Sequence, residues 1–327
     1  MQTTKNERSE RYAVSFQDVV AASQRIATVI HKTPVFTCES LDRLIGTRIF
    51  MKCENFQKTG AFKYRGASNA VMRMTPDQRI AGVVTHSSGN HAGAIAAASQ
   101  RVGCTAHIVM PSNSTEVKKA AVRSYGGAIT ECLPTLADRE KVSVEIQQAT
   151  GATMIPPFNH PDIIAGQGTC ALEFMKQVPY LDVMVSPIGG GGLMSGTCVA
   201  VDGVQPKLPI WGVEPTGAAD AHESKLKGEW VPQTNPETIC DGLRTSLGDL
   251  TWPFIRDRVD EILLADDKQT TRMMQFIWER SKLIIEPSCA VVLAALKEKI
   301  GSMDSPPAHV GVIIGGGNVD LTNLPWN

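Results

Sequence analysis

The chain has 327 residues, 43% of them hydrophobic and 20% charged, so it can bury one large core or two modest ones as an ordinary globular protein. Its formal net charge of −1 provides no field that would attract nucleic acid or an anionic membrane. No apolar run reaches membrane-spanning length and the polar residues 1–11 lack the apolar core of a signal peptide, so we expect a cytoplasmic protein with a short disordered leader.

The first predicted elements lead to a lysine. A helix begins at Ser15, carries its apolar side chains on one face and ends before Pro34. A short strand at 48–52 leads into NFQKTGAFKYRGA, residues 55–67, and then into a helix that runs through Met74. Thr-Pro-Asp at 75–77 breaks the chain after this helix.

Strands then alternate with helices in two series. The first series has strands at 82–85, 106–110, 128–132 and 152–155 and helices at 90–101, 115–124 and 136–149, and it ends at a boundary at 156–158. The second has helices at 163–177, 192–202, 268–281 and 288–299 and strands at 183–188, 210–214, 262–265 and 310–314, with 218–250 irregular. This order predicts an α/β fold of two lobes, each a parallel sheet with helices on both faces, and a ligand at the strand ends between them.

Lys63 follows the strand at 48–52 and sits beside Phe62. An amine attacks a carbonyl only when it is neutral, and an apolar pocket or a nearby cation favours that form. Phe62 can supply both an apolar wall and a flat surface for a ring. The alternative is an ordinary solvated lysine at the start of a helix.

Four glycines, Gly189 to Gly192, stand between a predicted strand and a predicted helix. There, successive backbone N–H groups can converge on one anion at a helix N-terminus, which stabilises the anion by up to about 2 kcal/mol. The alternative is a flexible turn, but four glycines in this context favour a phosphate. Neither a GxGxxG fingerprint nor a GxxxxGK[ST] loop is present, which disfavours a nucleotide.

Two further turns carry polar or small residues. The turn at 85–91, THSSGNH, offers hydroxyls and free N–H groups to a carboxylate, with Ser88 as a proton donor or acceptor, unless Ser87 or Ser88 merely caps the helix. Its histidines lack a matched third ligand for zinc, and the eight scattered cysteines form no CxxC pair, so reduced thiols are expected. The turn at 315–318, GGGN, allows a flat ring to approach the backbone or is only a turn.

Glu214 ends a predicted strand, and Asp220 follows it closely. Two carboxylates with nearby carbonyl oxygens suit magnesium or calcium. On spacing alone, a solvated loop is the stronger interpretation.

Four motifs therefore occur in one order: KTGAFKYRGA, SSGNH, GGGG and GGGN. In this combination the chain resembles the fold type II pyridoxal-phosphate (PLP) enzymes, in the branch of serine racemase, serine/threonine dehydratase and 3-hydroxyaspartate dehydratase. The resemblance runs from about Ser15 to the C-terminus. It implies a tryptophan synthase β-like fold of two open, twisted, mostly parallel sheets. The expected division is a large PLP-binding domain, 1–77 and 160–327, and a small domain, 78–159, that closes over the substrate.

The resemblance also implies roles for residues at matching positions. Lys63 would carry the cofactor through a Schiff base and remove the substrate Cα proton, and Phe62 would pack beside the pyridine ring. Asn90 would bind the 3′-oxygen of the cofactor, and Gly189, Gly190, Gly191 and Gly192 would hold its phosphate. Gly315 would face the pyridine nitrogen, where most relatives place Ser, Cys or Thr. This nitrogen would then lack a hydroxyl partner, and the cofactor ring would be a weaker electron sink.

Substrate and metal positions follow in the same way. The residues that would surround the substrate carboxylate are Ser87, Ser88, Asn90 and His91. Ser88 would face Cα from the side opposite Lys63, and Arg139 would meet a second carboxylate. Glu214, the carbonyl of Ala218 and Asp220 match the divalent-cation site of this branch, for Mg²⁺, Mn²⁺ or Ca²⁺.

The expected function is that of an ammonia-lyase, or dehydratase, which converts 3-hydroxyaspartate, serine or threonine to a 2-oxo acid and ammonia. The rivals are an amino acid racemase, with both activities feasible in one enzyme, and a non-catalytic PLP-binding protein. Relatives suggest a homodimer. Lys58, Thr59 and Asn318 match nucleotide-contacting positions of animal racemases, yet Ala92 and Gly93 replace the racemase pattern after His91, and we do not expect activation by ATP.

Overall fold

The computed structural model describes residues 12–326, and the expected disordered leader lies outside them. The α-helices are numbered α1 to α13 in chain order. They are Phe16–Ile26, Glu39–Ile45, Lys63–Arg73, Pro76–Ala81, Asn90–Arg101, Glu116–Ser124, Leu136–Thr150, Pro161–Gln177, Gly192–Val204, Asp220–Lys227, Trp252–Arg258, Asp267–Ser281 and Pro287–Gly301. Short 3₁₀ helices lie at Glu54–Phe56, Lys58–Gly60 and Asp241–Leu243. Among the described residues, no helix is both long and apolar enough to span a membrane.

The strands form two sheets. They are β1 Val35–Phe36, β2 Arg48–Cys53, β3 Val83–His86, β4 Ala106–Pro111, β5 Ala128–Cys132, β6 Thr153–Met154, β7 Val183–Pro187, β8 Ile210–Pro215, β9 Glu261–Ala265 and β10 His309–Ile314. The larger sheet has six strands in the order β1-β2-β10-β7-β8-β9, and the smaller has four in the order β5-β4-β3-β6. Every pair is parallel except β1 with β2, which is antiparallel.

Helices cover both faces of the larger sheet because its strands are apolar on both sides. In β10, Ile313 packs into one core with α8, α9 and α11, whereas Val312 and Ile314 pack into another with α12 and α13. Alternate residues of a strand point to opposite faces, so an unbroken apolar strand serves two cores. The predicted α/β fold with two mostly parallel sheets is confirmed.

Helix α3, which begins at Lys63, lies between the two sheet systems. Its apolar residues Ala67, Ala70 and Val71 share a core with α5 and the four-stranded sheet. On its other side, Gly66 approaches Gly166 of α8 so closely that a Cβ on Gly166 would lie 2.6 Å from the Gly66 Cα. The helix that carries the lysine is therefore held from both sides.

The prediction that 218–250 is irregular is wrong in part. Helix α10 begins at Asp220, with Asp220 and Glu223 in its first turn and Lys225 and Lys227 in its last, the charge order that a helix dipole favours. The sequence prediction also missed α2 and α11, because seven residues are too few to show a helical apolar period. Strand β1 was missed because it has two residues.

Candidate active site

The site is built where three neighbouring strands end. Strands β2, β10 and β7 are adjacent in the larger sheet, and the lysine segment, the GGGN turn and the tetraglycine loop follow them respectively. The N–H of Phe62 donates to the carbonyl of Gly315 over 2.8 Å, and Ala61 forms a β-bridge with Gly316. Because parallel strands present their carboxyl ends at one edge, these three motifs converge there.

Lys63 begins α3 and is half-buried. Its Nζ donates to the carbonyl of Pro157 over 2.7 Å and lies 5.2 Å from the centre of the Phe62 ring. Burial lowers the pKa of the Lys63 amine to about 8, and the negative charge of Glu286 opposes this shift. A larger fraction of the amine is therefore neutral near pH 7 than in an exposed lysine, as a nucleophile toward an aldehyde requires.

The tetraglycine loop presents a row of free backbone donors. The N–H groups of the six residues from Gly189 to Met194 have no acceptor among the described residues, and all but Gly189 are buried. Buried N–H groups are nearly always paired in folded proteins. Six in succession at the start of α9 form a cradle for an anion, where the helix dipole adds to the attraction.

Glycine is required in this loop by close packing. A Cβ on Gly190 would lie 2.2 to 2.4 Å from three ring atoms of Phe158, and one on Gly192 would lie 3.0 Å from the Phe158 Cβ. Gly191 has a φ of +83° and faces Thr251, whose hydroxyl donates to the carbonyl of Gly190 over 2.9 Å. Phe158 follows the residue that accepts from the lysine amine, so the loop and the amine meet at one short segment.

The SSGN turn, residues 87–90, follows β3 and leads into α5. The backbone N–H groups of Ser88, Asn90 and His91 have no acceptor among the described residues. The Ser88 hydroxyl also has no hydrogen-bond partner among these residues. The His91 ring is buried with Nε2 3.1 Å from the carbonyl of Ile155, and burial lowers its pKa to about 3. His91 can therefore offer its backbone N–H to a carboxylate, but its ring stays neutral.

Asn90 is held by two side chains that are distant in the sequence. Its Nδ2 donates to both carboxylate oxygens of Glu286 over 3.0 and 3.1 Å, and its Oδ1 accepts from Asn318 Nδ2 over 2.9 Å. Asn318 Nδ2 also donates to the carbonyl of Thr59 over 2.8 Å. These bonds fix which end of the Asn90 amide carries its donors. Sequence reasoning missed Glu286, since a glutamate before the first proline of a helix looks like an ordinary cap.

Gly315 leaves room beside Phe62. A Cβ on Gly315 would lie 3.2 Å from Phe62 Cδ1 and 3.9 Å from the sulfur of Cys289, the nearest polar side chain. That thiol is buried, accepts from the N–H of Gly316 over 3.1 Å and has a pKa raised well above the ordinary value by burial. Sequence reasoning missed Cys289 too, and the scattered cysteines gave no signal for it.

Arg139 lies on α7 of the smaller sheet and is half-buried. Its Nε donates to the carbonyl of Thr135 over 3.3 Å, and no carboxylate among the described residues lies within 4.0 Å of its guanidinium. Burial and the positive charge of Arg139 lower the pKa of His86, which directly precedes the SSGN turn. An unpaired cation therefore stands near the turn that has free carboxylate-binding donors.

A second acidic site lies at the end of β8. Glu214 is buried and accepts from the N–H groups of Ala221 and His222 over 3.1 and 2.7 Å, while the buried Oδ1 of Asp220 has no hydrogen-bond partner within residues 12–326. Burial and the charge of Asp220 raise the pKa of Glu214 to about 8, and burial raises that of Asp220 to about 6. The buried carbonyl of Ala218 accepts no backbone hydrogen bond among the described residues. These oxygens suit a divalent cation, which would offset the cost of two buried charges.

Comparisons with known proteins agree on one family. The family profile described as "Pyridoxal-phosphate dependent enzyme" matches residues 26–316. The β-hydroxyaspartate dehydratase of Paracoccus denitrificans is 44% identical over 97% of this chain and 100% of its own, and the serine racemase of Mus musculus is 43% identical over 97% and 95%. The solved structure of maize serine racemase superposes with a TM-score of 0.93 at 43% identity, covering 95% of each chain.

Proposed function

The chain belongs to the family of pyridoxal-phosphate-dependent enzymes, and from that premise we propose that it is an ammonia-lyase acting on a small β-hydroxy amino acid. The products are a 2-oxo acid and ammonia. Among the candidate substrates, 3-hydroxyaspartate is favoured over serine and threonine. The observation that carries the proposal is the lysine amine of lowered pKa beside a loop with six N–H groups that have no acceptor in the described part of the chain.

The site fits the cofactor both at the lysine amine and at the glycine loop. An aldehyde needs a neutral amine, and Lys63 is half-buried with a pKa of about 8. A phosphate needs convergent donors without side chains in the way, and residues 189–192 provide them. Phe62, Asn90 and Gly315 complete the proposed cofactor site. When bound, pyridoxal phosphate withdraws electrons from the substrate Cα, which makes its proton acidic and lets a β-hydroxyl leave.

The chain's own residues supply binding and proton transfer. The Lys63 amine would take the Cα proton, a step in which a positioned base typically contributes 10²–10⁴-fold. The free N–H groups of Ser88, Asn90 and His91 bind the substrate carboxylate, and Ser87 closes the same turn. The glycine loop holds the phosphate end fixed, so that the amine and the Cα proton stay in register.

Arg139 supports a substrate with a second carboxylate. Its guanidinium has no acidic partner within the described residues and lies on the small-sheet side of the site, near His86. A guanidinium that is free in the protein can form a charge-assisted pair with a ligand carboxylate. The full-length similarity to the β-hydroxyaspartate dehydratase of Paracoccus denitrificans supports the same choice.

An ammonia-release screen of serine, threonine and 3-hydroxyaspartate stereoisomers tests the proposal. Hydrogen bonds to charged groups contribute about 1.5–3 kcal/mol, so Arg139→Gln should lower kcat/KM for hydroxyaspartate by roughly 10- to 150-fold. The same change should lower kcat/KM for serine much less. The control variant Arg43→Gln, at an exposed arginine distant from Arg139 in the sequence, should change kcat/KM for neither substrate. Equal losses with both substrates would contradict the assignment of Arg139.

Racemisation is the second candidate, and Ser88 favours it. Its hydroxyl has no partner among the described residues, so it is free to return a proton to Cα from the face opposite Lys63. Incubation of L-serine in deuterated water separates the two reactions. Deuterated D-serine with little pyruvate would make racemisation the principal activity, and pyruvate with little D-serine would support the lyase.

Two finer assignments belong to the same proposal. Glu214, the carbonyl of Ala218 and Asp220 hold Mg²⁺, Mn²⁺ or Ca²⁺, supported by the unpaired oxygens and raised pKa values described above. Residues 78–159 form a small domain that closes over the substrate against 1–77 and 160–327, supported by the separate four-stranded sheet. The homodimer, the cytoplasmic location and the lack of ATP activation stay predictions from the sequence.

A further inference from the structure

Glu286 is a buried carboxylate that the proposed reaction does not use. It precedes α13, and the residue is 5% exposed. It accepts from Asn90 Nδ2 through both oxygens and from the N–H of Asn318 over 3.3 Å, but no Lys, Arg or His nitrogen in the described part of the chain lies within 4.0 Å of it. Buried carboxylates are normally paired with a cation, so this one lacks its expected partner.

The position of this carboxylate is closely defined. A Cβ on Gly316 would lie 2.9 Å from Glu286 Oε2 and 3.0 Å from Oε1, so a side chain at this point of the GGGN turn would displace the carboxylate. The turn itself bonds to the lysine segment through Ala61. Packing and the bonds from Asn90 therefore hold the carboxylate against the cofactor side of the site.

The ionisable groups around Glu286 include Lys63. Asp241, from the 3₁₀ helix that packs here, pairs with Lys118 of α6 over 2.7 Å. Burial and the charge of Asp241 raise the pKa of Glu286, and the charge of Lys118 lowers it less strongly. The thiols of Cys240 and Cys289 also face Glu286, and burial raises both pKa values so far that they stay neutral. Within residues 12–326, Lys63 is a further charged group that couples to Glu286, whose negative charge raises the pKa of the Lys63 amine.

We propose, on the basis of the proposed function, that Glu286 is a positioning residue with two roles. Its negative charge keeps the nitrogen that joins Lys63 to the cofactor protonated. Its carboxylate also holds the Asn90 amide in place for the cofactor's 3′-oxygen. Protonation of that nitrogen is what makes the attached carbon reactive toward an incoming amino acid. In the cofactor-free protein, burial and the charge of Asp241 raise the pKa of Glu286 to about 7. A protonated nitrogen beside it favours the ionised form of Glu286, just as ionised Glu286 favours protonation of that nitrogen.

Absorbance spectra of the pyridoxal-phosphate-loaded protein between pH 6 and 10 test this role, because the visible band reports protonation of that nitrogen. An adjacent opposite charge typically shifts a pKa by about 1–3 units, so Glu286→Gln should lower the midpoint by about that much. Glu286→Asp keeps the charge and should stay near the wild-type midpoint. Glu279→Gln removes an exposed carboxylate elsewhere and should not change it. An unchanged midpoint in Glu286→Gln would overturn the inference while leaving the proposed function intact.

A cofactor-free measurement covers the case in which Glu286→Gln does not load. The pH dependence of Lys63 labelling by an amine-reactive reagent reports the pKa of the free amine, which the charge of Glu286 raises. The labelling midpoint should fall in Glu286→Gln and stay in Glu286→Asp, and equal midpoints would overturn the inference. Wild-type protein that forms no visible band with pyridoxal phosphate would instead contradict the proposed function.

Discussion

Replacing Gly190 with alanine places a methyl group in the wall of the proposed phosphate cradle. The new Cβ would lie 2.2 Å from Phe158 Cδ1 and 2.3 Å from Cγ, well inside any real contact. Phe158 also packs closely against Gly192, since a Cβ added there would lie only 3.0 to 3.1 Å from the Phe158 Cβ and Cα, and this limits how far the ring can retreat. The loop backbone must therefore move, and its six N–H groups lose their common focus.

Overpacking of this kind typically costs about 1–3 kcal/mol. If the displaced loop must return to its wild-type position to bind the phosphate, this free-energy cost corresponds to a loss of roughly 5- to 150-fold in cofactor affinity. Titration of cofactor-free protein with pyridoxal phosphate, followed by the visible band, measures the loss. Pyridoxal without its phosphate should lose much less affinity, since it does not use the cradle.

Two further variants isolate the cause. Gly301→Ala adds the same methyl group at the end of α13, where no atom lies within 4 Å, and should bind the cofactor like wild type. Phe158→Ala combined with Gly190→Ala removes the clash and should recover part of the lost affinity. Wild-type affinity in the single Gly190→Ala variant, or an equal loss for pyridoxal with and without phosphate, would refute the assignment of this loop.

Three other changes test separate parts of the account. The rate at which pyridoxal phosphate attaches to the cofactor-free protein should rise with pH and level off above about pH 8, because burial lowers the pKa of Lys63. Stopped-flow absorbance measures this rate, and a midpoint near the pKa of an exposed lysine would contradict the prediction. Arg65→Met should lower the free energy of unfolding by about 3–5 kcal/mol in chemical denaturation, because the buried carboxylate of Glu54 loses its two hydrogen bonds of 2.7 and 2.8 Å from Arg65. A loss no larger than that caused by Arg43→Met, at an exposed arginine, would contradict this prediction. A chelator should lower the Tm of the wild-type protein but not of Glu214→Gln, because a cation at a concentration one hundred times its Kd stabilises the folded protein by about 2.7 kcal/mol. A wild-type Tm that the chelator does not change would contradict the cation site.

Local sequence patterns were sufficient for much of the fold. The predicted strand at 128–132 and helix at 90–101 occur with those bounds, because each has enough residues for its own apolar period and a clear turn at each end. The helix at 252–258 was missed because its seven residues show no period before the chain turns into β9. The antiparallel pairing of β1 depends on a partner 15 or more residues away, which no local pattern encodes.

The same distinction applies to the site. Lys63 and Gly190 could be proposed from sequence because their chemistry is local: a lysine after a strand, and glycines before a helix. Glu286 could not, because it acquires its role only through Asn90, which is 196 residues away in the sequence. Cys289 likewise becomes relevant only because Gly315 has no side chain to cover it.

Borohydride reduction of the pyridoxal-phosphate-loaded protein, followed by peptide mass mapping, tests the central assignment most directly. Reduction makes the bond between the cofactor and its lysine permanent, so the modified residue can be identified. We expect the phosphopyridoxyl group on Lys63 and on no other lysine. A label on a different lysine, or a loaded and active protein in which Lys63 stays unmodified, would contradict the account.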